Sequence, residues 1–300
     1  MNPPRDRLLV VGGSGYLGRE LVRQAMSLGL QVSATHFSGD AGKDGATWIP
    51  IDVRDEDAVR RAVERVQPMR IVNTAFIQTE RDMWATTANG AAAVARAAAS
   101  LEARLVHFST DMVFDGRSTA AYLETDPPSP VSAYGEAKAE SERVVAAAFP
   151  EVAIVRTSLI YEGGTPPSNH EQFVLDAVDG RTDARFFTDE IRCPITVGDL
   201  AAATLELAGL AASGTFHLAG AEAVSRYELA RLVAAFHGRS PGAVRSARSE
   251  LVAPARPRNL ALNVRATQAR LGTRLRGVGE VLATAEAPGA AAVAVQDSRK

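Results

Sequence analysis

Leu8-Leu9-Val10-Val11-Gly12-Gly13-Ser14-Gly15-Tyr16-Leu17-Gly18 is the stretch on which the fold turns. Its four consecutive apolar residues read as a buried strand, and the glycines follow without a spacer. Gly12 permits a tight turn, Gly15 lets the backbone approach a pyrophosphate, and Gly18 allows a helix to pack closely on the strand. The helix beginning here offers unpaired N–H groups and a partial positive charge to phosphates. A strand before and a helix after separate a dinucleotide-binding turn from an ordinary glycine-rich one. Gly12, Ser14, Gly15, Tyr16, Leu17 and Gly18 are therefore expected cofactor contacts.

Outward from that turn, short β-branched runs alternate with helical spacing. Residues 30–35, 47–51, 70–75, 105–109 and 152–160 predict further strands. After Asp55, an expected N-cap, Ala58, Val59, Ala62, Val63 and Val66 form one apolar stripe, and Gln67-Pro68 ends that helix. Residues 84–101 read as one Ala-rich helix. This alternation implies right-handed crossovers and a parallel sheet covered on both faces: an α/β, doubly wound, Rossmann-type fold. Residues 1–160 form the dinucleotide-binding domain, with 195–220 returning to it through a strand at 215–218. Residues 161–194 and 221–276 form a smaller C-terminal substrate domain over the sheet's carboxyl edge, with a helix at 226–237, and 277–300 read as a flexible tail.

Composition narrows the chemistry. The 300 residues carry 33 basic and 35 acidic side chains, a formal charge of −2, which argues against a chain-wide nucleic-acid surface. No apolar run approaches the roughly 20 residues that span a bilayer. The single cysteine, Cys193, excludes an internal disulfide and a multi-Cys zinc site, and a reducing, cytoplasmic setting is expected. As a lone Cys it reads as a small core hydrophobe. No metal site is expected, because the five histidines are scattered without an i,i+4 pair.

Two further features point to a nicotinamide cofactor and its reaction. Where NAD-preferring sites carry Asp or Glu after the second strand, this chain has Thr35-His36-Phe37-Ser38, with no carboxylate before Asp40. A 2′-phosphate would not be repelled, and His36, Ser38 or Lys43 could donate to it, which favours NADP over NAD. Thr110 then ends the fifth strand, and Tyr134 and Lys138 lie one helical turn apart on one face. A phenol has a reference pKa of about 10, and a neighbouring ammonium together with a positively charged nicotinamide lowers it. Thr110 could hold a carbonyl oxygen by a hydrogen bond.

These motifs, with Ser109-Thr110-Asp111-Met112-Val113-Phe114-Asp115-Gly116 and Tyr134-x-x-x-Lys138, resemble an extended short-chain dehydrogenase/reductase. More narrowly they are similar to the dTDP-4-dehydrorhamnose reductase family. Further matching strings are Asn89-Gly90, Tyr122-x-Glu124, Val155-Arg156-Thr157-Ser158, Asp189-x-x-x-x-Pro194, Asp199-Leu200-Ala201, Gly214-x-Phe216-His217-Leu218 and Arg256-Pro257. The resemblance implies NADPH as reductant, Thr110, Tyr134 and Lys138 as the catalytic set, and Asp52 and Val53 against the adenine. Ala75, Phe76, Tyr134 and Lys138 join the cofactor contacts, and Thr110, Asp111, Val113, Leu159 and Arg192 the substrate contacts. Three positions depart from the family: Met112 stands for Tyr, Leu159 for a Trp that lines the sugar pocket, and Arg192-Cys193-Pro194-Ile195 for Gly-Ser-Pro-Thr. A Trp-to-Leu change removes a flat stacking surface.

The expectation is an NADPH-dependent 4-ketoreductase of a nucleotide-activated deoxysugar. Its partner is a small molecule, not nucleic acid or membrane, and it is a monomer or homodimer. Two alternatives stay open: a non-catalytic NADP-binding regulatory subunit like that of methionine adenosyltransferase, and a nucleotide-sugar epimerase or dehydratase.

Overall fold

The computed structural model describes residues 6–37, 42, 45–78, 81–164, 166–251 and 256–285. Strands β1 (Arg7–Val11), β2 (Gln31–His36), β3 (Thr47–Pro50), β4 (Arg70–Asn73), β5 (Arg104–Thr110) and β6 (Ala153–Thr157) occupy the first half. Between them lie α1 (Tyr16–Ser27), α2 (Glu56–Val66), α3 (Ala91–Ser100) and α4 (Ala133–Ala148). The two-residue strands β7 (Ile160–Tyr161), β8 (Phe186–Phe187), β9 (Ile191–Arg192) and β10 (Ile195–Thr196) follow, with α5 (Asn169–Val178) and α6 (Val197–Gly209). The remaining elements are β11 (Gly214–His217), β12 (Val224–Ser225), α7 (Arg226–Phe236), β13 (Ser246–Ala247), α8 (Arg265–Gln268) and α9 (Val278–Thr284).

Seven strands form one sheet in the order β11-β6-β5-β4-β1-β2-β3, and every pairing in it is parallel. Both faces are dry. On β1, Leu8 and Val10 enter one core with Leu21 and Val22 of α1, while Leu9 and Val11 enter the other with Val59 and Val63 of α2. A parallel sheet sandwiched by helices needs this near-continuous apolar run. Helix α2 starts where Asp55 accepts a hydrogen bond from the Ala58 backbone, and stops where Gln67 turns left-handed at φ 49°. The chain leaves the sheet after β6 and rejoins it at β11, which pairs with β6.

The elements between and after these excursions pair in twos. β7 pairs with β10, β8 with β13 and β9 with β12, while α5 and α7 enclose Val174, Phe186, Val233 and Ala234. Three local expectations need correction. The run 152–160 is broken at Ser158-Leu159, because the Ser158 hydroxyl is drawn to the Asp111 carboxylate at 2.7 Å. The helix at 84–101 begins as a π-helical turn, Ala85–Gly90, where Gly90 presses on Val53. The flexible tail does not begin at 277. Val278 and Val281 of α9 are buried with Tyr161 and Val224, whereas 286–300 lie outside the described residues.

Candidate active site

The strand order reverses at β1, which has β2 on one side and β4 on the other. A crevice opens at such a switch point, beyond the carboxyl ends of the strands. Here it has a volume of about 240 Å³ and is lined by Gly12, Ser14, Gly15, His36, Asp52, Val53, Ala75 and Phe76, all expected from sequence. Thr35, Phe37, Ile51, Arg54, Thr74, Ile77 and Thr86 complete the lining and were not anticipated as cofactor contacts.

The glycine turn is built by sterics. Gly12 sits at φ +81°, its N–H donates to Thr35 Oγ1 at 3.0 Å, and a Cβ there would lie 2.8 Å from the Ala75 nitrogen. Gly15 differs. A Cβ on it would meet only the Gly12 carbonyl oxygen, at 3.2 Å, and otherwise project into open space. Helix α1 starts there with no side-chain cap and no acidic residue in its first turn, so its N–H groups are available to an anion. An open cradle at a helix N-terminus fits the pyrophosphate of a dinucleotide. Three expected contacts offer the cradle only their backbone. Leu17 packs in the core, Gly18 lies beneath the turn, where a Cβ would be 2.3 Å from the Gly12 oxygen, and the Tyr16 hydroxyl donates to Glu162 at 2.7 Å.

At the far end of the crevice, Arg54 clasps Asp52 through Nη2 at 2.6 Å, meets Asp82 at 3.0 Å and lies over the Phe37 ring at 5.3 Å. That guanidinium holds the Asp52 carboxyl below its ordinary range. His36 stands edge-on to Trp48. Ser38 and Lys43 lie outside the described residues.

The second half of the site comes from β5 and α4. Thr110 ends β5, its Oγ1 accepting from the Met112 N–H at 3.3 Å and reaching Asp111 Oδ1 at 3.3 Å. Ser132 caps α4 by accepting from the Gly135 N–H at 3.1 Å. Gly135 lets the helix close on the turn after β5: a Cβ there would lie 2.2 Å from the Met112 carbonyl oxygen. That approach sets Tyr134 beside Thr110 and Gln78, the polar side chains that act on its hydroxyl. One turn on, Lys138 is buried, with Nζ donating to the Phe108 carbonyl at 2.9 Å. The Phe76 ring covers both, 5.0 Å from Lys138 Nζ and 6.0 Å from the Tyr134 ring centroid.

Electrostatics qualify the sequence expectation for Tyr134. Burial, helped by the Asp111 charge, pushes the phenol up to about 12, against the hydrogen bonds from Gln78 and Thr110. In the protein alone desolvation outweighs any pull toward phenolate, so Tyr134 is protonated and ready to donate. Burial pushes Lys138 down to about 8, and Glu142 opposes that shift.

The expected substrate contacts divide. Asp111 is buried, its carboxyl raised by burial and held by Ser158, Thr110 and, at 3.8 Å, Arg192. Arg192 is buried too, between Asp111, Glu190 at 3.9 Å and the Met112 sulfur at 3.9 Å. Leu159 lies half-buried between β6 and β7, its carbonyl accepting from the Ile195 N–H. Val113 is a correction: its side chain is wholly enclosed in the core and has no surface for a substrate. Burial pushes the Cys193 thiol up to about 11, as suits an inert core residue. Among the described residues there is no His, Cys, Asp and Glu cluster that could hold a metal, and no helix long and apolar enough to cross a membrane.

A parallel sheet that sets a glycine turn and a Tyr–Lys helix along the same edge defines the class, an extended short-chain dehydrogenase/reductase, whose members are nicotinamide-dependent oxidoreductases. Residues 6–287 match the RmlD substrate binding domain, and the chain belongs to that family. It is 35% identical to the dTDP-4-dehydrorhamnose reductase of Mycobacterium tuberculosis (strain ATCC 25618 / H37Rv) over 257 residues, 80% of this chain and 78% of the relative. It is 34% identical to the dTDP-4-keto-6-deoxy-D-glucose reductase of Streptomyces niveus, over 83% of this chain and 84% of that one. Among solved structures, a hypothetical dTDP-4-dehydrorhamnose reductase from Sulfolobus tokodaii superposes with a TM-score of 0.78 at 27% identity, covering 90% of this chain and 96% of that one. The Bacillus anthracis dTDP-4-dehydrorhamnose reductase in complex with NADP shares the fold, with a TM-score of 0.77 at 23% identity over 93% of this chain and 98% of that one.

Proposed function

We propose that this protein reduces a ring ketone of a nucleotide-activated 6-deoxyhexulose, a dTDP-4-dehydrorhamnose-like sugar, with NADPH. The observation that carries the reading is Tyr134 and Lys138, one turn apart on α4, gathered with Thr110 and under the Phe76 ring at the sheet edge that also carries the open glycine cradle. Gly15 and the start of α1 would hold the pyrophosphate, Asp52 and Val53 the adenine, and His36 the 2′-phosphate. Bound NADPH supplies the hydride. Thr110 holds the carbonyl oxygen, and Tyr134, protonated at neutral pH, gives its proton to the developing alkoxide. Lys138, one turn from Tyr134 and tied to the Phe108 carbonyl, supports that transfer with its positive charge. Asp111 orients the Thr110 hydroxyl, and Arg192 and Met112 shape the sugar side of the site. Leu159 offers an apolar wall, which favours a deoxygenated face of the sugar over a stacked one.

The test is NADPH oxidation by the purified protein against dTDP-linked 4-keto-6-deoxyhexoses, UDP-linked 4-ketosugars and simple ketones. Turnover confined to the dTDP-linked ketosugars is the expected result. Tight NADPH binding without turnover of any ketone would contradict it.

A further inference from the structure

Beneath the site lies a buried polar column that the proposed reaction has not used. Glu142 is one turn beyond Lys138 on α4 and is buried with it. Its carboxylate accepts from the Ser109 hydroxyl at 2.5 Å and takes a two-pronged clasp from Arg156, Nε at 3.0 Å and Nη2 at 2.8 Å. Arg156 is itself buried, and its remaining Nη1 donates to the Asp126 carbonyl at 3.0 Å. Three donors thus fix one carboxylate in a single orientation. As stabilisation alone the arrangement is poorly explained, because apolar residues of similar volume often hold a core as well as a buried ion pair does.

The groups facing Lys138 decide what the carboxylate can do. On its own helix these are Tyr134 and Glu142. From β5 comes His107, whose ring nitrogens are engaged by Ser141 at 2.6 Å and Asn73 at 3.2 Å, and which burial and the Lys138 charge hold neutral, with a pKa near 3. Asp111 lies beyond the end of β5, committed to Ser158 and Thr110. Arg156 sits one strand further away, on β6 opposite Ser109. Glu142 alone among these raises the Lys138 pKa, working against the burial that lowers it. The residue type fits this role. The chain has three lysines, Lys43, Lys138 and Lys300, and otherwise uses arginine for its cations. An arginine stays charged wherever it is buried, whereas a buried lysine keeps its proton only with help.

We propose that Glu142 is a positioning residue for the reduction: held by Ser109 and Arg156, and one turn along α4 from Lys138, it keeps that buried ammonium charged one turn from Tyr134. The proposal rests on the reading of Lys138 as part of the catalytic set. Lys138 supports proton donation only in its charged form, so activity is present below its pKa and lost as pH rises through it. Removing Glu142 lowers that pKa and moves the loss to lower pH.

With three lysines in the chain, the titration of Lys138 can be followed directly by carbon NMR of lysine-labelled protein, its signal assigned by absence in Lys138→Met. Its midpoint is expected near 8 in the parent protein and lower by roughly one to three units in Glu142→Gln. Glu142→Gln leaves Arg156 buried and unpaired, so the same titration is made in Glu142→Gln/Arg156→Met, which also removes that more distant cation and is expected to show a smaller fall in the same direction. Glu142→Asp, which keeps the charge, is expected to stay near the parent value. The alkaline limb of the kcat profile should move with the midpoint. An unchanged Lys138 midpoint in either Gln variant overturns the proposal, as does a shifted midpoint with an unmoved alkaline limb. If the parent protein reduces no ketone, the functional reading fails, while the NMR titration still decides whether Glu142 governs the Lys138 charge.

Discussion

In the proposed reduction three side chains at one edge of the sheet would divide the work, and their environments rank the losses expected on substitution. Tyr134→Phe keeps the ring against Phe76 but removes the proton donor, so kcat should fall by about 10²–10⁴-fold with little change in NADPH affinity. Lys138→Met should weaken both cofactor binding and turnover, since it removes a charge that lies one turn from the phenol. Thr110→Val removes one neutral hydrogen bond, worth about 0.5–1.5 kcal/mol, and should cost the least. Steady-state kinetics with fluorescence titration of NADPH measures all three. Full activity in every variant would show that the catalytic set is misassigned. Sequence made these residues legible because they belong to short local strings. It did not reveal Gln78 beside Tyr134 or Ser158 on Asp111, since each acts across an interval that only folding closes; Glu142 is local to Lys138, but only the fold shows that it is buried there. Val113 misled for the same reason. It sits within the string yet faces the core.

At the scale of elements, the turn from β1 into α1 separates two kinds of glycine. Gly15 has φ −71° and ψ 169°, a conformation open to any residue, and faces open space. Gly15→Val should therefore fold within about 1 kcal/mol of the parent while losing dinucleotide binding, because the side chain fills the cradle. Gly12→Val should instead impair folding, since it combines φ +81° with a contact at 2.8 Å. Urea unfolding paired with NADPH titration separates these outcomes, and normal binding by Gly15→Val would mean the turn has been misread. Helix α9 shows where element reading reaches its limit. Its apolar stripe is only Val278 and Val281, too short a period to stand out in an Ala-rich terminus, and it gains meaning once Tyr161 and Val224 provide a surface. The break at Ser158-Leu159 was hidden because β-branched residues continue on both sides of it.

Across the whole molecule, a seven-stranded parallel sheet brings the ends of β1 to β5 to one edge; the crevice lies over β1 to β4, and its Phe76 reaches Tyr134 and Lys138 of α4. The doubly wound plan was readable from alternation alone, because covering both faces of a parallel sheet forces apolar strands and amphipathic helices to alternate. The short pairs β7–β10, β8–β13 and β9–β12 carry too few residues for any period to register. Cofactor choice also belongs to this scale. His36 and Phe37 at the end of β2 bring no negative charge to the crevice, and Arg54 offsets Asp52 beside them. NADPH should bind at least several-fold more tightly than NADH, and equal or tighter binding of NADH would remove the charge argument.

If this edge of the sheet performs a ketone reduction with Tyr134 as the proton donor, the hydride can be followed from cofactor to sugar. Incubation with NADPH deuterated at the transferable position of the nicotinamide, followed by mass and NMR analysis of the sugar, tests it most directly. A single deuterium is expected on the former carbonyl carbon of a dTDP-linked 4-keto-6-deoxyhexose, on one face only, with near-complete loss in Tyr134→Phe. An unlabelled product, or equal labelling by the parent protein and Tyr134→Phe, would contradict it.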